Sequence, residues 1–435
     1  MVISVTIVVF SLASVAAGRN FSFLTDWHPY GPALEVAHAY YGQWPTAIAV
    51  SKTGRMFSAY PGGLDPKNAN NGTNNIFTVA ELTSTTNETA YPSVEMNSPP
   101  GGAINYTTSP PRGANYANYL ISVQAVVIDA LDRLWILDTG RVSTPDLNTI
   151  VGSAYGGPKL IGINLTTNQV FQTIMFPENV VFQDSYPNDM RFDLRSRNSS
   201  KDGYGQAGVA YITDSSPEAR NGLIIVDLHT GHSWRHLSLG RSVRSEAQFL
   251  PFVLGQPVYS YDPPTRVATW LPDGGDGIAL SADGDELYYS PLASRYLHSV
   301  PTRLLKTGNK PNRTSELKAQ GAVMTHGQKG VSDGFETDSN GLIYMGNFEA
   351  NAIVTFNPRN GSVTTFVRDP RINWVDTSKS PTEKQMSIAE DGYLYFTVNQ
   401  LNLGVHAWPG TDRRRKPYAL FRVPLPNNGT KVRLV

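Results

Sequence analysis

The 435-residue chain has no cysteine, which removes disulfides, thiolate metal sites and a cysteine nucleophile. It also lacks net charge, with 36 Lys and Arg against 36 Asp and Glu. The long-range field that nucleic-acid binding relies on is therefore missing, and no nucleic-acid partner is expected. No Gly-X-Ser-X-Gly elbow, His-Glu-X-X-His pair, Walker loop or dinucleotide fingerprint occurs, so classical hydrolase, kinase and dehydrogenase mechanisms fall away. Beyond the first 17 residues no apolar run is long enough to span a bilayer. What remains is chemistry that hydrogen bonds, a lysine and shape can perform.

Turn-formers and aromatics are plentiful instead: 38 Gly, 30 Pro and 21 Tyr with only 17% charged residues favour many short strands over long amphipathic helices. Residues 1–17 (MVISVTIVVFSLASVAA) are apolar and uncharged and end in small residues, as a signal peptide does; a membrane anchor is the alternative, for which 17 residues is marginal. Asn-X-Ser/Thr triplets at Asn20, Asn71, Asn87, Asn105, Asn164, Asn198, Asn312, Asn360 and Asn428 fit a secreted glycoprotein. After signal cleavage no stable membrane anchor is expected, and the mature chain is expected to be a monomer.

One phrase recurs: alternating apolar residues, a Gly/Asp turn, then an aromatic or aliphatic strand. It stands at 48–57 (IAVSKTGRMF), 126–135 (VVIDALDRLW), 278–288 (IALSADGDELY), 335–344 (FETDSNGLIY) and 386–395 (MSIAEDGYLY), with a sixth copy at 190–193 (MRFD) that resumes at 209–213 (VAYIT). Each copy has the period and turn chemistry of a β-hairpin with one face in a core. Six such hairpins predict an all-β, six-bladed β-propeller, whose closure protects sheet edges without disulfides. The alternatives are a β-sandwich pair or a two-domain all-β chain. No linker marks a second domain, so 18–435 reads as a single propeller domain, with 62–118 as a long loop between the first two blades.

Equivalent positions in a propeller converge on the central channel. Two residues before each phrase stand Thr46, Gln124, Asn188, Asp276, Asp333 and Lys384, and one residue before it Ala47, Ala125, Asp189, Gly277, Gly334 and Gln385. The expectation is a polar ring at one mouth, with carboxylates from Asp189, Asp276 and Asp333 and a cation from Lys384; the bland alternative is that these groups satisfy strand-start backbone and water. No metal or other cofactor is expected: Lys384 would repel a cation, and His229, His232 and His236, at spacings of three and four, sit in an apparent strand and turn that does not support a zinc motif. Residues 249–254 (FLPFVL) are apolar enough either to cap a pocket over the channel or to pack on outer blades. Phe348, Trp374 and Asn399 flank the last hairpins as further candidates.

Residues 134–140 (LWILDTG), 185–193 (SYPNDMRFD), 210–214 (AYITD), 222–227 (GLIIVD), 276–281 (DGIALS), 287–293 (LYYSPLA) and 345–353 (MGNFEANAI) resemble the Yellow/major royal jelly protein family of secreted six-bladed propellers. The resemblance runs from about residue 44 to 409. It implies ligand contacts around the Gly346-Asn347-Phe348 segment, as in amine-binding members. Insect members usually carry cysteines, so their absence leans toward a microbial, secondary-metabolism branch similar to fungal hetero-Diels–Alderases. On that likeness the expected function is (hetero-)Diels–Alder cyclisation, or a related isomerisation, of small-molecule substrates such as a tropolone quinone methide and a terpene, in meroterpenoid biosynthesis. The alternatives are a non-catalytic binder of amines or lipids, a dopachrome-type tautomerase, or a purely structural propeller.

In the cyclase expectation Lys384, Asn188, Gln385 or Asn347 donates to the enone oxygen. Asp189, Asp276 or Asp333 assists the water loss that generates the diene. Thr46 and Gln124 complete the polar ring; Phe348, Trp374 and Asn399 border the substrate. Lys384→Ala and Asn188→Ala should each lower turnover at least about tenfold in a folded protein; wild-type turnover from both would remove the ring from the chemistry.

Overall fold

The computed structural model describes residues 29–74, 76–146, 149–195, 206–306, 312–375 and 386–435. Six four-stranded antiparallel sheets form the blades, and three two-stranded hairpins lie outside them. The inner strands are Ile48–Val50, Val123–Ile128, Pro187–Asp193, Gly275–Leu280, Ser332–Thr337 and Met386–Ile388, in blades one to six. The six-bladed propeller expected from the repeat is the observed fold. Residues 1–17 lie outside the described residues, and no described helix is long and apolar enough to cross a membrane.

The repeated phrase folds for local reasons. Its first turn residue accepts a backbone N–H four residues on at Ser51, Asp129 and Asp338, and five residues on at Ser281, where the phrase is one residue longer. The fourth turn residue, Gly54, Asp132, Gly284, Gly341 or Gly392, adopts φ between 60° and 84°, where glycine is least strained. A second element, present in blades two and three, ties the hairpin to its own inner strand. Asp138, ending the second strand of blade two, accepts the N–H groups of Ile121 and Ser122 at 2.7 and 2.9 Å and pairs with the buried Lys159 at 3.1 Å. In blade three Asp214 accepts the Tyr186 N–H at 2.8 Å and pairs with Arg235 at 2.7 Å.

The stretch 62–118 is not one loop. Val79–Leu82 and Glu88–Ala90 are the outer strands of blade one. They are too short, and too rich in Glu and Thr, for their alternation to stand out from the surrounding Asn and Thr. The apolar core lies between neighbouring sheets: one cluster joins blades one and two through Phe57, Val126 and Ile136, another blades two and three through Trp135, Met190 and Ile224.

Circular closure comes from Glu35–Tyr40, which forms the outermost strand of blade six beside Tyr418–Pro424. It also grips blade one: the Tyr40 hydroxyl meets Ser58 Oγ at 2.7 Å, and His38 Nε2 meets Glu88 at 3.1 Å. At the end of the channel where the inner strands finish, the C-terminal segment crosses the mouth. Lys431 bridges to Asp338 on blade five and donates to the Ile128 carbonyl of blade two at 2.7 Å, and Leu434 accepts from the Leu194 N–H at 2.9 Å. This end is closed by the chain itself.

Tyr40 is fully buried, so Tyr40→Ala leaves a cavity at the clasp and should cost about 3–5 kcal/mol in denaturant unfolding. A loss below about 1 kcal/mol would show that the circle holds without this strand.

Candidate functional site

The polar ring forms at the end where the inner strands start. Its members lie in β-bulges: in blades three, four and five the register skips one residue between Pro187 and Met190, Gly275 and Ile278, and Ser332 and Phe335, and in blade two at Gln124. A bulge re-aims side chains that regular pleating would send into the inter-blade core. Crowding at the next position is real at Gly277, where a Cβ would lie 2.6 Å from the Asp333 carbonyl oxygen.

Thr46, Gln124, Asn188, Asp189, Asp276 and Asp333 are all fully buried. Tyr186 donates to Gln124 at 3.1 Å, Gln124 Nε2 donates to Asn188 at 3.4 Å, and Asn188 Nδ2 donates to Asp276 at 2.7 Å, a chain running through blades two, three and four. Thr213 Oγ1 also donates to the Asp276 carbonyl at 2.8 Å.

The cation at this mouth is one that the repeat does not reveal. Lys329, only 3% exposed, donates to the Gly330 carbonyl at 3.0 Å and lies 5.5 Å from the Phe335 ring centre. Burial pushes its ammonium down from 10.5 to about 7, against the attraction of Asp276, Asp333, Glu246 and Glu349. It stands four residues before Asp333, outside the repeated phrase; a Lys inside the Gly-rich 327–334 segment was the only signal. Lys384 and Gln385 lie outside the described residues.

Other expected members have separate surroundings. Asp189 belongs to a lower layer of the channel, where Arg191 binds it at 2.7 Å and stands 3.7 Å from Glu336. The repeat gave no sign of Arg191 because it occupies an ordinary strand position. Thr46 donates to the Ala59 carbonyl at 3.1 Å, and Asn399 donates to the Pro45 carbonyl at 2.9 Å while its own carbonyl accepts from Trp44 at 3.0 Å. Asn399 thus latches blade six to the segment leading into blade one, whereas the Thr46 hydroxyl is satisfied within blade one. Asn347 accepts from the Ala350 N–H at 3.2 Å in a half-buried turn beside Gly330. Among the described residues no three His, Asp or Glu side chains gather as metal ligands would.

Above the ring lies hydrocarbon. Residues 249–271 cross from blade four toward blade six, where Ser260 bridges to Ala407 and the Trp408 N–H donates to the Tyr259 carbonyl at 3.2 Å. Phe249, Val253, Val258 and Leu271 share one buried cluster with Trp44, Tyr186, Phe348, Trp374 and Leu401. The apolar 249–254 stretch is thus a cap rather than outer-blade packing. Phe348 and Trp374 stack with centroids 3.9 Å apart, and Trp374 holds φ of 62°, unusual for a bulky side chain. The gap beneath this lid, lined by Val258, Leu271, Trp374 and Leu401 among others, is about 10 Å³, room for a single water at most.

The Lys329 surroundings set a pH signature. Below about 7 folded and unfolded chains both carry its proton and the burial penalty is complete; toward 10.5 only the unfolded chain keeps the proton and the penalty fades. Wild type should therefore gain stability relative to Lys329→Met as pH rises through that window, measured as urea midpoints. Parallel midpoints would show an ordinary surface-like lysine.

A profile described as major royal jelly protein matches residues 121–429. Major royal jelly protein 1 of Apis mellifera is 27% identical over 190 residues, 44% of this chain and 39% of that protein. Major royal jelly protein 5 of Apis mellifera is 27% identical over 261 residues, 56% of this chain and 36% of the relative. The alignments thus span about two fifths of these relatives' lengths. A solved luciferin-regenerating enzyme superposes with a TM-score of 0.47 and 11% identity, covering 93% of this chain and 100% of the other. With the profile running from the start of blade two through blade six, the chain belongs to the major royal jelly protein family.

Proposed function

We propose that this propeller is a cofactor-independent isomerase or cyclase acting on a conjugated carbonyl compound at the lidded mouth of its channel. (Hetero-)Diels–Alder joining of a quinone methide to a terpene is the specific reaction proposed. One observation carries the reading: a buried lysine that titrates near neutrality faces two ring carboxylates beneath an apolar roof. A group whose pKa matches working pH is suited to donating and recovering a proton.

In this proposal Lys329 takes the donor role first given to Lys384, with Asn188 beside it. Lys329 hydrogen-bonds the carbonyl oxygen and stabilises the charge that develops there. Asp276 and Asp333 attract the ammonium from a distance; one of them takes a proton from the precursor while the Lys329 ammonium protonates the departing hydroxyl, which leaves as water. Lys384 and Gln385 remain proposed donors from blade six. The stacked Phe348 and Trp374 offer a flat face for the apolar partner. Holding two partners in a near-attack pose can remove about 7–11 kcal/mol of barrier, so no nucleophile is required. Because residues 249–271 pack over the ring, their displacement is part of the proposed route of substrate entry.

One observation favours a carrier of small molecules instead: Gln124, Asn188 and Asp276 already satisfy one another, as a structural network would. Export is proposed too. Among the sequons in the described residues, Asn71, Asn87, Asn164, Asn312, Asn360 and Asn428 are exposed and Asn105 is half-buried, so all are open to glycosylation.

Lys329→Met and Asn188→Ala should each reduce turnover about a hundredfold with the fold intact. Product analysis checks the reading: one stereoisomer formed over many turnovers supports catalysis. Stoichiometric depletion of ligand, unchanged by Lys329→Met, would leave only carriage.

A further inference from the structure

We propose that the outer surface of the channel lid docks on an anionic lipid surface. The inference goes beyond the catalytic reading and stands without it, because docking is measured without turnover.

The lid consists of two short hairpins, Phe252–Val253 with Gln256–Pro257 and Ser260–Asp262 with Val267–Thr269. Their inward residues fill the buried cluster over the ring. Their outward residues are also apolar: Phe252 is 45% exposed, Leu254 57%, Val267 50% and Trp270 44%. Trp408, on the blade-six loop that pairs with the lid, is 52% exposed and packs edge-on against Tyr261 with centroids 5.7 Å apart. Large apolar side chains scattered singly on a surface need no account, but five on one lid and its partner loop form a patch. Two are tryptophans, the residue that favours the boundary between water and lipid.

Charge selects the occupant. The blade-six loop continues into Arg413-Arg414-Arg415-Lys416, the chain's one run of four consecutive cations in a molecule of zero net charge. Arg413 donates to the Trp408 carbonyl at 3.2 Å, tying a cation to the backbone of the residue that carries an exposed indole. Arg415 is exposed, and Arg266 stands at the exposed turn of the second hairpin. Nearby acids are engaged within the protein: Asp412 binds Arg414 at 2.8 Å, and Asp262 accepts from Thr265. Apolar tips ringed by cations match a leaflet with acyl chains beneath anionic headgroups. A protein partner would need a complementary apolar surface and has no comparable use for the arginine rim.

Docking there would set the lid, the entrance to the ring, against the phase in which an apolar small molecule dissolves. Entry would then proceed from lipid rather than from water.

The test is co-sedimentation of the full chain with phosphatidylserine-containing vesicles and with pure phosphatidylcholine vesicles. The wild type should bind the anionic vesicles, and raised salt should weaken that binding. Arg413→Ala with Arg415→Ala should cut partitioning about thirtyfold. Leu254→Ser with Trp408→Ser should abolish it while thermal melting stays unchanged. The arginine pair removes no apolar lid residue, only the Arg413 bond to the Trp408 carbonyl, and so decides the matter even where the apolar pair misfolds. Absence of binding to anionic vesicles, equal binding to both vesicle types, or a concentration-dependent dimer abolished by the tip substitutions would each overturn the proposal, the last by making this face a protein interface.

Discussion

The circle depends on one non-covalent clasp, the pairing of Glu35–Tyr40 with Tyr418–Pro424 in a chain that has no cysteine to lock it. A propeller left open between its first and last blades would let the inner strands splay. The ring positions, which run from Thr46 through Asp333 in the first five blades, share a centre only because that clasp holds. Its strength is that of sheet pairing and packing together. Tyr40 and His38 reach past their own sheet to blade one, so the seam between the chain's distant parts is bound on both sides.

The interior also contains much charge for a neutral protein. Lys159 with Asp138, Arg235 with Asp214 and Arg191 with Asp189 are buried ion pairs, each in direct contact. Such pairs add little net stability over hydrocarbon, but removing one partner is costly. They therefore help specify which strand ends meet. Lys329 differs in kind. Its hydrogen bond goes to a backbone carbonyl, and its carboxylates act on it from a distance, so desolvation prevails and its proton is held weakly. Lys431 at the opposite mouth is likewise bonded to a backbone carbonyl and its proton weakened by desolvation, so what sets Lys329 apart is its place beside Asp276 and Asp333 at the ring end. That position at the ring end is the reason the chemistry is proposed at Lys329 rather than at the lower layer built around Arg191.

Legibility in the sequence followed the range of the forces involved. The hairpins were readable because alternation and the Ser/Asp and Gly turn positions act over ten residues. The convergence of Gln124, Asn188, Asp276 and Asp333 was readable because equivalent positions in equivalent blades must meet. The outer strands of blade one were hidden, since Val79–Leu82 offers only four residues of pattern. Asp189 was assigned to the mouth, yet its neighbour Arg191, two positions on in the same strand, draws it into another layer. Thr46 and Asn399 were assigned to a ligand, whereas backbone carbonyls claim their side chains, within blade one for Thr46 and across the seam for Asn399.

By itself the sequence determined the number of blades, the absence of disulfide support and the positions that would face the axis, because each follows from local periodicity and composition. Tertiary structure alone decided which polar side chains bind one another, that Lys329 supplies the buried charge, and that residues 249–271 roof the ring. The reason is distance along the chain: Asn188 meets Asp276 across 88 residues and Trp44 meets Asn399 across 355. Contacts of that range are fixed by closure of the circle and by bulges in its inner strands, neither of which any short stretch of sequence encodes.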